Sequence, residues 1–387
     1  MELKHRQRIF LSTYFFLSGV CFSTWASRIP TIKTSFGYNE AELGTLLLAM
    51  PISSLISLPF SGWLVSRFDS RIPILFGFIL LAISTALIGF APTTLLLAGA
   101  VSLFSFSLRI INISMNTQAV TLQRQFERKI NGSFHALWST GGIVGVIFST
   151  LLIRWDVAMN MHLLIVAVFS LIATLVCYRH LLRGDRAPSG NKLVLHKPDP
   201  YIVYLGLLVF MAAICEGGMI DWNGVYFREV VGEELFTMGY LAFMVLMATS
   251  RFVSDRIIES IGMSRTFILS AILVVAGVSL SIMFPYFWPC MIGFCLVGFG
   301  TAAIFPMTFL LAGDSKKYSA GMAISIIATY AIAGMLIGPP LIGYLAQAFG
   351  LRVAFIAFAI TGFMFIPISQ LFFRHQHSLS TQKENPA

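Results

Sequence analysis

"YIVYLGLLVFMAAICEGGMIDWNGVYF", residues 201–227, carries no charge from Tyr201 to Ile214 and then sets Glu216 and Asp221 among residues that stay mostly apolar. A run of this kind fills the hydrocarbon core of a bilayer, which is about 30 Å thick and takes roughly 20 helical residues. The stretch therefore reads as a membrane helix with two carboxylates inside it. An ionisable side chain at that depth costs roughly 2.5–3.5 kcal/mol on insertion scales, so such groups face a cavity or a partner and mark the path of an ion or solute.

The rest of the chain has the same character. Of its 387 residues, 57% are hydrophobic and 11% charged, against about 25% charged in a soluble domain. Apolar runs predict an all-α membrane protein with twelve transmembrane helices near 9–30, 41–66, 71–91, 93–119, 130–154, 158–181, 201–228, 235–256, 264–284, 286–312, 319–346 and 352–374. The opening "MELKHRQRIF" leads into a long run with bulky aromatics and no small-residue cleavage site, so it reads as a retained first span. The five cysteines fall within or beside spans, are odd in number and lack zinc-type spacing. Free thiols, no metal and no cofactor are expected.

The formal charge of +9 reports topology and not a nucleic-acid partner. With the N-terminus in the cytoplasm, all but six of the 26 lysines and arginines, Arg251 among them, fall on that side; the six are Arg28, Lys33, Arg109, Arg154, Arg228 and Arg352. This positive-inside bias places both termini in the cytoplasm and the chain in a cell membrane, the inner membrane of a bacterium.

The most polar internal stretch, "HLLRGDRAPSGNKLVLHKPDP" at 180–200, divides six spans from six. The expected units are a bundle over 1–181, a cytoplasmic linker over 182–199, and a second bundle with a short tail over 200–387. Features recur at nearly one offset. Gly141 and Gly145 match Gly334 and Gly338, Trp25 matches Trp222, and Arg67 matches Arg256. Parallel repeats about an axis normal to the membrane predict a solute site near the midplane.

In "GWLVSRFDSR", "MNTQAVTLQRQ", "NGSFHALWSTGGIVG", "EGGMIDWNGVYF" and "GPPLIGYLAQAFGLR" the chain resembles the major facilitator superfamily over nearly its whole length, and within it the branch of fucose-permease-like and rhizopine-transporter-like proteins. The resemblance implies that the first, fourth, seventh and tenth helices line a central cavity, and that Arg67, Arg71, Asp255 and Arg256 belong to conformational loops. The first-half loop departs from the pattern, with Ser66 for the usual acid and Asp69 for the usual glycine. Relatives often carry an acid where this chain has Asn112.

Arg109 and Glu216 each fall about halfway along their spans, so one reading has them meet as an ion pair that substrate or a proton breaks. In the other, Arg109 pairs locally with Asn112, Asn116 or backbone carbonyls and serves packing within one half. Glu216 is the first candidate for proton coupling and Asp221 the second. His135, near the cytoplasmic start of its span, is a third candidate or simply a helix-to-helix hydrogen bonder. Arg28 and Asp221 either gate the outer mouth, or Arg28 snorkels to headgroups and Asp221 is wet. Arg109, Asn112, Asn116, Trp25, Trp222 and Tyr226 are the candidate substrate-binding residues. Gln118 is read as a contact to a neighbouring helix, and Gly298, Gly300, Pro306, Gly334, Gly338, Pro339 and Pro340 as close-packing and bending elements.

No phosphate-cradling loop, zinc spacing or nucleophile elbow is present, which excludes the common enzyme motifs and ATP hydrolysis on this chain. The expected protein is a monomeric secondary transporter that moves a small polar solute, sugar-like or carboxylate-bearing, by alternating access with protons. Efflux of drugs or metabolites, or a non-transporting receptor or partner-dependent subunit, are the alternatives.

Overall fold

Proline and capping residues set where the helices start and break. The structure, a computed structural model, describes residues 3–127, 130–185, 199–315, 317–318 and 320–384. Helix α1 runs over Leu3–Phe36, α2 over Glu40–Leu47, α3 over Ala49–Arg67, α4 over Arg71–Phe90, α5 over Thr94–Gln123, α6 over Asn131–Arg154 and α7 over Met159–Cys177. After the linker, of which 186–198 lies outside the described residues, come α8 (Pro200–Tyr226), α9 (Thr237–Ile261), α10 (Met263–Met283), α11 (Phe287–Thr301), α12 (Ile304–Gly313), α13 (Ala320–Phe349), α14 (Leu351–Ala354) and α15 (Ile356–Glu384).

Asn39 and Glu42 start α2 reciprocally: the Glu42 N–H donates to Asn39 Oδ1 (2.8 Å) and the Asn39 N–H to Glu42 Oε2 (2.9 Å). Asp199 caps α8, with Pro200 at its first position where no N–H is needed. The breaks between α2 and α3 and between α11 and α12 share a cause. Pro51 and Pro306 each lie third in the new helix, and a proline ring excludes the carbonyl four residues back. The first helix is longer than its apolar run suggested, α1 being continuous over 34 residues; at Pro30 the Thr34 hydroxyl donates to the carbonyl at 3.0 Å.

Among the described residues, twelve segments are long and apolar enough to cross a membrane, α2–α3 and α11–α12 each counting as one. Phe76, Leu87, Ile165, Phe169 and Ile172 are exposed, as lipid-facing side chains must be in a multi-pass membrane protein.

Contacts divide the chain into one unit of Met1–Gly37 with Leu46–Leu193 and another of Tyr38–Thr45 with Val194–Ala387. In the first, α1 packs on α6, α3 on α5, and α4 on α5 and α7; in the second, α8 packs on α13, α9 on α11, and α10 on α11 and α15. The same pattern is therefore built twice. A side chain at Gly141 would overlap the Phe16 carbonyl of α1, and one at Gly334 would lie 2.5 Å from the Phe210 carbonyl of α8. Both helix pairs approach closely at equivalent points, which lets backbone dispersion hold helices that lipid does not drive together. Serine hydroxyls tie α3 to α5, Ser53 donating to the Ser102 carbonyl (2.6 Å) and Ser57 to that of Phe106 (3.0 Å).

Within the first unit, Asp185 is buried at the end of the last span. Its Oδ1 accepts the Ser70 N–H at 2.9 Å and its Oδ2 accepts the Ser70 hydroxyl. Gln118 Nε2 donates to Ser70 Oγ at 2.8 Å, so Gln118 does reach a neighbouring helix. A carboxylate thus sits on the N-terminus of α4, where the helix dipole and open N–H groups favour it. In the second unit Arg352 donates from Nε to the Ile282 carbonyl at 2.6 Å, a cation at the end of α10.

Candidate functional site

The α8 helix is unbroken through its two carboxylates, and Glu216 lies near its middle. Glu216 Oε1 accepts from Arg251 Nη2 on α9 at 3.3 Å; the two side chains are 12% and 36% exposed. Arg251 also rests on Met247 Sδ at 3.7 Å. The other carboxylate oxygen, Oε2, is buried without a hydrogen-bond partner. Sequence reasoning counted Arg251 only among cytoplasmic cations. It lies inside its own expected span, and that position was the signal for a partner on a neighbouring helix.

Asp221 is half-buried, and no hydrogen bond reaches its side chain among the described residues. Trp222 is fully buried and donates from Nε1 to the Pro339 carbonyl at 3.2 Å. Tyr226 donates to the Ser281 carbonyl at 2.8 Å and packs on Phe355 at 4.3 Å between ring centres. Asn223 is buried with both amide atoms unpartnered.

In the first unit Arg109 donates from Nε to Ser54 Oγ on α3 at 2.7 Å. Arg109 and Glu216 each therefore have a first partner in their own unit, and that of Arg109 is neither Asn112 nor Asn116. Asn116 turns back to the Asn112 carbonyl at 2.8 Å, while Asn112 is exposed along the same helix face. Trp25 is buried, tilted on Phe104 at 6.0 Å, with its indole N–H unpartnered. His135 is exposed and stands edge-on to Phe15 at 5.6 Å.

Arg28 does not snorkel. It is 4% exposed, donating from Nε to His162 Nδ1 at 2.9 Å and from Nη2 to the Val157 carbonyl at 2.9 Å. His162 Nε2 lies 3.5 Å from Ser149 Oγ. Acceptance at Nδ1 fixes a neutral imidazole with its proton on Nε2. His162, Ser54 and Asp185 were not singled out from sequence.

Among the loop residues, Arg71 lies 3.9 Å from Asp69 and 5.7 Å above the Tyr178 ring. Arg67 and Arg256 are exposed, and the Asp255 side chain lies outside the described residues. An open cleft of about 770 Å³ runs along α1, lined by His5, Arg8, Ile9, Ser12, Thr13 and Phe16 with Leu137 of α6. It is an open groove with Arg8 among its lining residues.

Known proteins place this architecture. An uncharacterized MFS-type transporter of Yersinia pestis is 31% identical over 351 residues, 90% of this chain and 91% of that one. Membrane protein MosC of Rhizobium meliloti is 28% identical over 368 residues, covering 94% and 89%. Among solved structures, a form of the nucleoside transporter NupG superposes with a TM-score of 0.79 at 12% identity, covering 96% of this chain and all of the other. A bacterial homolog of the human lysosomal transporter Spinster, inward-facing and occupied, gives 0.76 at 15% identity, covering 95% and 96%. The sequence profile of the Major Facilitator Superfamily matches residues 10–314 and 242–387. A twice-built six-helix pattern with scarce charges inside its helices is thus accounted for: the chain belongs to the Major Facilitator Superfamily and is a membrane transporter, not an enzyme.

Proposed function

We propose that the chain is a proton-coupled secondary transporter of a small polar organic solute, sugar-like or carboxylate-bearing, working by alternating access. The six-helix regions 1–181 and 200–387 act as the moving bodies, joined by 182–199. It works as a monomer in a bacterial inner membrane with both termini in the cytoplasm.

The observation that carries this reading is the carboxylate of Glu216. One oxygen is paired with Arg251 and the other is buried with no donor. A buried acceptor left open favours capture of a proton or of a solute hydroxyl, and the arginine sets how readily the proton leaves again. Such a group changes state when its surroundings change, which is what coupling requires. Asp221, with no described donor, is the second proton site.

Uptake of a solute panel into proteoliposomes, with and without an inward pH gradient, tests it. Wild type concentrates at least one solute only under the gradient. In Glu216→Gln, downhill exchange continues while the gradient no longer drives accumulation. Gradient-driven accumulation that survives Glu216→Gln removes Glu216 from the mechanism.

A further inference from the structure

The segment Thr24–Arg28 of α1 holds an unusual set of buried polar atoms. Thr24 Oγ1, Trp25 Nε1 and Ser27 Oγ are all buried without a hydrogen-bond partner. The four polar residues are 0%, 2%, 2% and 4% exposed in chain order.

Many serine and threonine hydroxyls on the membrane helices return to the carbonyl one turn back, as Ser107 to Leu103, Ser114 to Ile110, Ser149 to Gly145 and Thr174 to Ser170, and others, such as Ser53, reach a carbonyl of a neighbouring helix. Thr24 and Ser27 do neither. At about 100° per residue, Thr24, Ser27 and Arg28 share one side of α1, while Trp25 turns away from Ser27 and packs on Phe104 of α5.

The charge balance is as telling. Arg28 is held by two neutral acceptors, His162 Nδ1 and the Val157 carbonyl. These use two of its five N–H groups. No carboxylate pairs with it among the described residues; Asp156 and Arg154, the charged groups of the adjoining α6–α7 turn, are both exposed. Indole and guanidinium donate only. The segment therefore offers donors and a full positive charge, with no anion of the protein's own.

We propose that Thr24, Ser27 and Arg28 form a binding site for a carboxylate group, that of the transported solute. This rests on the transporter reading above and narrows its solute class from sugar-like or carboxylate-bearing to carboxylate-bearing. Arg28 supplies the charge, and the two hydroxyls supply neutral donors. His162 and the Val157 carbonyl position Arg28 without neutralising it. The site is closed to solvent in this structure, so the solute enters when the helices around α1 part.

The test is binding to the full-length protein in detergent, read as a thermal shift, with acetate, lactate, succinate and gluconate against glucose and inositol at constant ionic strength. At least one carboxylate raises the melting temperature and the uncharged polyols do not. Arg28→Gln abolishes the shift. Because that variant also strips the His162 contact, the deciding variant is Thr24→Val with Ser27→Ala, which keeps Arg28 in place and weakens carboxylate affinity about tenfold. The site is overturned if no carboxylate stabilises wild type, or if the hydroxyl-free variant binds as tightly as wild type. It is also overturned if phosphatidylglycerol alone gives the shift, which would assign the donors to a lipid phosphate. Flux in proteoliposomes separates the two readings: carboxylate binding without any flux sinks the transport mechanism and spares the site, while polyol flux without carboxylate binding does the reverse.

Discussion

Ser54 and Arg251 occupy equivalent positions in the two units. Each directly follows a serine, Ser53 or Ser250, whose hydroxyl donates to a carbonyl 49 residues further on, at 2.6 Å to Ser102 and 2.7 Å to Phe299. The same register thus serves the buried charge of each half. In the first it offers a hydroxyl to Arg109; in the second it offers a guanidinium to Glu216. The repeat preserves the geometry and divides the chemistry.

Breaking the ion pair from one side leaves a charge in a dry place. Removing one member of a fully buried pair costs about 3–5 kcal/mol, and the 36% exposure of Arg251 reduces this to about 1–3 kcal/mol. Arg251→Gln is expected to lose that much stability. Glu216→Gln with Arg251→Gln recovers most of it, as thermal unfolding in detergent will report. A double variant no more stable than Arg251→Gln alone contradicts direct pairing.

Ser54→Ala leaves Arg109 without the acceptor it uses at 2.7 Å. Hydrogen bonds to charged groups contribute about 1.5–3 kcal/mol, and the loss should appear as a lower melting temperature. Arg109→Lys in the wild-type background lowers it too, since a lysine has no guanidinium Nε–H to make the contact. Equal stability of wild type and Ser54→Ala counts against the bond.

Gly141→Ala forces a methyl group into the Phe16 carbonyl, while Gly217→Ala meets only Met335 Cγ at 3.8 Å. Overpacking of this kind costs about 1–3 kcal/mol. The first variant should show reduced yield and melting temperature, and the second should resemble wild type. Equal behaviour of the two variants refutes close α1–α6 approach.

Asp185→Ala removes both contacts to Ser70 at the start of α4. Hydrogen bonds to charged groups contribute about 1.5–3 kcal/mol. Faster amide hydrogen exchange at the start of α4 is the expected readout, and unchanged protection there would show that Asp185 does not hold it.

The helices were legible because lipid is the solvent: a span such as Tyr201–Ile214 has few alternatives to helix in hydrocarbon. The repeat was legible because close approach demands glycine, so Gly141 and Gly334 announce themselves. Partners of the buried charges were not. Arg28 and His162 are 134 residues apart, and neither local sequence signals the other. Arg251 lies inside α9 (Thr237–Ile261) and its position pointed to a partner, but nothing in its local sequence named Glu216, 35 residues away. Asp185 lies in a polar stretch that reads as linker until Ser70 is seen beside it.

The glycine contacts with Phe16 and Phe210 carry a mechanical consequence. Gly141 and Gly334 set backbone against backbone, leaving no side chain between the helices whose rotamer change could loosen the seam. Each pair, α1 with α6 and α8 with α13, is therefore expected to travel as a single stiff strut, with any flexing left to the helices around it.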